Sequence, residues 1–415
     1  MNTRKQPQRL PPPIIHGSEV IDAEIILHEF PDTLGLALWK TVRSVRLWLE
    51  VGEGERATIF GKGAFAERIE LLEAAGLPPE LETAMLKTAA VLRKRARAST
   101  VGAACHTISE WAEARGAYGT AIEFLQVVAL ALPADATLAN EVGRVARTKG
   151  EYQRAETWFR LAIARARRAQ NKYEFTRSYI DLGNVSILRE SFSQGKRALI
   201  RGLRAGRRFS LHPMISAAYQ ELAILSVRLG NATDVHRYTR AAVDSSIQGN
   251  PGLPVLAFEY GVFLLNAGYF PEALKTIVGI PEERVHPSLR QRWATTTAYT
   301  AAAVKNPAVY EGARELAQGL LESRPSISGW IELARAAVLA NDFPGGKAAV
   351  RKAQQLVAGT ENPRAEQEIA SLLRITEAGL RVEPVTEARK CPPRVRELVE
   401  DLEMAVRASQ AALPS

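Results

Sequence analysis

Apolar residues recur at three- and four-residue intervals through much of the chain, the spacing that gathers them on one face of an α-helix. Leu34, Leu38, Val42, Val45 and Leu49 form one such series, Ile69, Leu72 and Leu77 a second, and Met85, Ala89 and Leu92 a third. They predict a helical N-terminal region over residues 19–99, interrupted at Pro31, over 52–63 and at Pro78-Pro79. The series do not decide between a separate bundle and divergent leading repeats.

Beyond residue 99 the helical rhythm acquires a longer period. Gly116, Tyr118 and Ala121 are repeated 34 positions later as Gly150, Tyr152 and Ala155. A fixed period of that length predicts stacked helical hairpins. Leu182-Gly183 opens a third unit and Leu222-Ala223 a fourth, with Tyr179 and Tyr219, and likewise Gly195 and Val235, 40 apart. Hairpins in that stretch are therefore longer by more than a helical turn. Gly268, Phe270 and Ala273 restart the signal, a weaker copy spans 310–320, and Asn341, Phe343 and Gly346 give the last clear one. The count is about seven units over residues 100–357. Gly143, Gly183 and Gly261 are the small residues that let the second helix of a hairpin approach the first. Ala121, Ala155, Gly195 and Ala273 do the same from the other side, and Tyr118, Tyr152, Phe192, Phe270 and Phe343 fill the wedge between units.

These residues resemble the tetratricopeptide repeat, with its Leu-Gly, its Gly-x-Tyr turn, its paired small residues and a closing Pro133 in the first unit. The resemblance implies an all-α, right-handed α-solenoid of a divergent, bacterial-type array. It also implies binding of proteins or peptides rather than catalysis. Outside the array, residues 1–18 carry Arg4, Lys5, Arg9 and Pro11-Pro12-Pro13, the composition of a mobile tail. Residues 358–415 read as C-terminal capping helices, the last of them, from Pro393 to about residue 412, covering the exposed end of the stack.

Composition changes this picture little. The chain is 46% hydrophobic and 24% charged, has no apolar run of membrane-spanning length and lacks an apolar signal core at its start, so the expectation is a cytoplasmic protein with no membrane partner. Cys105 and Cys391 are expected to be reduced thiols. Six histidines show no metal-ligand spacing, the glycines of 52–63 lack the spacing and hydroxyl of a phosphate loop, and no nucleophile elbow occurs. No catalytic residue, metal or cofactor is expected.

Charge is the sharper clue. Residues 141–210 hold 17 Lys and Arg against 6 Asp and Glu, an excess of +11 in a chain whose net charge is +9. Within them Arg197, Arg201, Arg204 and Arg208 fall in one sector of a helix, opposite Gly195, Leu199 and Gly202. Such a stripe is either a hydrated outer face or a docking surface for an acidic protein segment, with nucleic-acid phosphates a weaker candidate. The second candidate surface is the groove lined by first helices. Asn140, Arg144, Arg177, Asp181, Asn184, Gln220 and Arg228 are expected to point into it, beside His106, Glu110, Glu141, Glu259 and Asn266. Asparagine amides there would pair with a peptide backbone, and Arg144 and Arg177 would take carboxylates. A merely hydrated groove has the same composition. The favoured reading is a non-catalytic scaffold or adaptor. The alternatives are a weak nucleic-acid-associated regulator and a peptide-responsive switch, since a leading helical bundle followed by about seven repeats resembles the layout of Rap-type bacterial peptide receptors.

Overall fold

The computed structural model describes residues 19–408 apart from 94–96, 247–249, 251, 359 and 361. The tail expected over 1–18 and the end of the cap expected over 409–415 lie outside the described residues. Every regular element among the described residues is helical. Five helices lead: α1 (Glu19–Glu29), α2 (Asp32–Glu50), α3 (Glu53–Ile59), α4 (Lys62–Ala74) and α5 (Pro79–Arg93). The short α3 lies inside the glycine-rich stretch that the sequence reads as an interruption.

Seven hairpins follow. They are α6 (Ala98–Ala114) with α7 (Tyr118–Ala131), α8 (Ala136–Lys149) with α9 (Tyr152–Arg168), and α10 (Lys172–Leu188) with α11 (Phe192–Arg208). Then come α12 (His212–Arg228) with α13 (Ala232–Asp244), α14 (Leu253–Asn266) with α15 (Phe270–Val278), α16 (Arg290–Ala303) with α17 (Pro307–Ser323), and α18 (Ile327–Leu339) with α19 (Phe343–Val357). Helices α20 (Pro363–Ala378) and α21 (Pro393–Ala408) close the described chain. The molecule divides into two compact units, Met1–Met214 and Ile215–Ser415. That division falls inside the stretch whose repeat signal reads as one array.

One turn serves every hairpin. A single left-handed residue sits between its two helices: Gly116, Gly150, Glu190, Gly230, Gly268, Lys305 and Asn341, with φ between 56° and 90°. The next residue donates its N–H to the carbonyl five positions back, as Glu151 does to Ala146 at 2.9 Å and Ser191 to Ser186 at 2.8 Å. This closure satisfies the last carbonyls of the first helix and reverses the chain. Close packing then holds the pair. A Cβ on Gly143 would come within 2.6 Å of the Phe159 ring, one on Gly183 within 2.5 Å of Leu199, and one on Gly261 within 2.5 Å of Ile277.

In the first unit the leading helices share the core of the array. Trp48, Leu81 and Met85 are buried in the same cluster as Cys105, Phe124 and Phe159, α1 and α2 lie against α7, and α5 lies against α6. The Glu29 carboxylate accepts the Gly119 and Thr120 N–H groups at 2.8 and 2.7 Å, capping α7 from α1. Glu123 of α7, 1% exposed, is held between Arg46 of α2 and Arg154 of α9.

In the second unit, α20 packs on α18 and α19, continuing the stack. Helix α21 does not cover the end, as its sequence position suggested. It returns to α13, α14 and α15, burying Val395, Leu398, Val399, Leu402 and Val406. The reason is a run of irregular chain over 380–392, long enough to carry the last helix back across several hairpins. No helix among the described residues is long and apolar enough to cross a membrane.

Candidate functional site

Helix α11 is strongly two-faced. Gly195, Ala198, Leu199, Gly202, Leu203, Ala205 and Gly206 are buried, and Gly202 fits only because a Cβ there would lie 2.9 Å from Ile180. Arg197, Arg201, Arg204 and Arg208 are all exposed on the other side. Among the described residues no carboxylate lies within ion-pair distance of Arg197, Arg201 or Arg204, while Arg208 leans on the Phe209 ring at 5.6 Å. Arg197 and Arg201 join Arg160, Gln194, Ser186 and Tyr179 around a cavity of about 260 Å³. Guanidiniums around a small cavity match a carboxylate or phosphate, because each offers paired N–H donors in a plane.

The groove-side residues are arranged differently. Arg144 grips Glu113 with two bonds, at 2.5 and 2.8 Å. His106 Nε2 meets Glu141 at 3.1 Å. Asp181 accepts from Asn140 at 3.0 Å and from Arg147 at 3.2 Å, and Arg147 also donates to Asn184 at 3.2 Å. Arg177 lies 3.5 Å from Glu174 and 3.8 Å from Asp181. These bonds form a ladder linking the first helices of the first unit. Two expectations are corrected by it: Asn140 is fully buried and spends its amide on Ser178 and Asp181, and Gln220, also buried, donates to Ser216. Neither presents its amide to a ligand, since each is enclosed between neighbouring helices. Arg228 is exposed.

The hydrogen bond to Glu141 raises the His106 pKa above its ordinary value, against the opposing effect of burial, with Glu110 adding to the rise. The same bond holds Glu141 below the usual carboxylate range. Burial raises Glu174. Arg147 and Glu113 are members of the ladder that the sequence reading omits. Their signal is opposite charge one repeat apart: Arg147 to Asp181 spans 34 residues and Arg144 to Glu113 spans 31. Both cysteines are free and buried, and burial pushes Cys105 up to about 12. Among the described residues no group of three or more His, Cys, Asp or Glu is placed to hold a metal.

The shared turn and the glycine contacts define the class of this molecule: a tetratricopeptide-like helical repeat protein. No family model matches the chain, and no curated protein matches its sequence. Solved structures similar to it include a Rap protein complexed with competence and sporulation factor, at 9% identity over 80% of this chain and 99% of that one, with a TM-score of 0.45. Another is the TPR domain of P58(IPK), at 12% identity over 88% and 89%, with a TM-score of 0.35. A third is the TPR2AB domain of yeast Sti1 in complex with pHSP90, at 16% identity over 67% and 99%, with a TM-score of 0.26.

Proposed function

We propose that this chain is a non-catalytic scaffold that captures an acidic protein or peptide segment on the arginine face of α11. The observation that carries the reading is the contrast between two sets of cations in one unit. Arg144, Arg147 and Arg177 of the groove are committed to Glu113, Asp181 and Glu174, whereas Arg197, Arg201 and Arg204 stand exposed, with no carboxylate within ion-pair distance among the described residues. A row of unpaired cations raises the energy of the free protein slightly and is relieved by an anionic partner.

A peptide-responsive switch would need leading helices that shift against the array. Glu29 and Arg46 instead tie those helices to α7, with Glu123 and Arg154 almost fully buried between them. Breaking such a pair strands a buried charge, which favours the scaffold. The test is affinity capture with the intact chain beside Arg201→Glu/Arg204→Glu, at low and moderate salt. A discrete protein held by the intact chain and lost on charge reversal supports the reading. The same protein held by both forms moves the site off α11, and bulk nucleic acid that washes off with salt reduces the face to a nonspecific field.

A further inference from the structure

Between α20 and α21 the chain leaves regular structure. Gly379, at φ 60°, ends α20, and residues 380–392 carry no regular structure and bend at Val385 and Thr386 before Pro393. Along this strap Val382, Pro384 and Thr386 are half-buried and Arg381, Glu383, Val385 and Glu387 are exposed, Val385 at 98%. Partial burial of a segment without regular structure is that of chain lying along a surface. The surface is the groove side of the second unit. There Asn266 of α14, Thr296 and Tyr299 of α16 and Arg335 of α18 line a cavity of about 660 Å³ together with Val382, Glu383, Val385 and Thr386 of the strap.

The strap is held unevenly. Its one main-chain bond to the groove wall among the described residues is Arg389 N–H to the Gly268 carbonyl at 2.9 Å. The Glu387 carbonyl lies 2.2 Å from where a Gly268 Cβ would be, so glycine there serves the strap as well as the turn. Beyond it the hold is firm. Cys391 is 5% exposed, α21 buries five apolar residues, Arg240 pairs with Asp401, and Lys275 lies 3.5 Å from Glu403. A loosely bound irregular segment over a groove cavity, tied at its far end by a helix, has the construction of an occupant with a latch.

We propose that residues 380–392 are an internal ligand of the second unit's groove, latched by α21, and that a free peptide of the same sequence displaces them. The groove opens by release of the strap and α21 while the hairpins stay folded. This is independent of the arginine face of α11, which belongs to the first unit.

Cys391 reports the opening and Cys105, fully buried in the first unit, is the internal control. The experiment measures modification of each thiol in the full chain by a soluble disulfide reagent, resolved by mass mapping. Cys391 is expected to react at least about tenfold faster than Cys105 without denaturant, because its opening is local. Arg240→Glu is expected to accelerate Cys391 by about tenfold again and leave Cys105 unchanged, and the charge swap Arg240→Glu/Asp401→Arg is expected to restore the slow rate. A synthetic peptide of residues 380–392 with serine at 391 is then expected to accelerate Cys391 saturably, and a scrambled peptide is not. Equal rates and equal denaturant dependence for the two cysteines would overturn the latch. Acceleration by Arg240→Glu with none from the peptide would overturn the groove as the strap's binding site.

Discussion

A methyl group at Gly183 has nowhere to go, because Leu199 Cγ lies 2.5 Å from it and is itself fully buried. Gly183→Ala is expected to cost about 1–3 kcal/mol and Leu199→Ala about 2–5 kcal/mol, the first by overpacking and the second by leaving a cavity. The double variant is expected to lose less than the sum, since the added methyl enters the space vacated. Denaturant melts of the three variants check this, and simple additivity would mean the two residues do not share one packing site. His106 offers a second test at this scale. Its pKa is raised in the folded chain, so its clamp to Glu141 contributes fully below the ordinary value of 6.5 and is lost as pH rises through the raised value. Glu141, held low, remains ionised well into the acid range. Glu141→Gln is expected to lower the His106 titration midpoint, followed by NMR, and an unmoved midpoint would remove Glu141 as the cause. Small packing residues were legible in the sequence because a glycine at a fixed phase has few other uses. Asn140 was misplaced because phase alone does not separate a groove-lining amide from one enclosed between helices.

At the scale of elements, the repeated turn explains both what was legible and what was not. Four of the seven left-handed positions are glycine, and two of these, Gly116 and Gly150, carry the 34-residue period. Glu190, Lys305 and Asn341 adopt the same conformation without glycine, so the third and sixth turns lack the glycine signal, while the seventh stays legible through Asn341, Phe343 and Gly346. A left-handed non-glycine residue costs about 1–2 kcal/mol, partly offset by the greater chain entropy that glycine loses on folding. Glu190→Gly is therefore expected to stabilise the chain by about 0.5–1 kcal/mol, and Gly150→Ala to destabilise it by a similar amount. Thermal melts decide, and a Glu190→Gly variant that melts lower would show that its side chain holds the turn by another contact. The destination of α21 had no such signal. Its apolar face fits any exposed helical groove, and only the length of irregular chain before it determines which one it reaches.

For the whole molecule, the charge excess visible in residues 141–210 includes cations paired on the groove side, Arg144, Arg147 and Arg177, and three exposed cations of α11, Arg197, Arg201 and Arg204, with no carboxylate within ion-pair distance among the described residues. Composition gives the excess but not this partition, because pairing depends on which carboxylates the neighbouring repeat presents. Arg197, Arg201 and Arg204 are the proposed docking surface for acidic chain. Its most direct test is a fluorescence titration of the full chain with poly-L-glutamate, repeated with Arg201→Glu/Arg204→Glu and with a DNA duplex as comparison. Saturable, salt-sensitive binding of polyglutamate is expected, weakening by at least about tenfold on charge reversal, with melting temperature unchanged because exposed charges contribute little to stability. Equal binding of polyglutamate by both forms would contradict it.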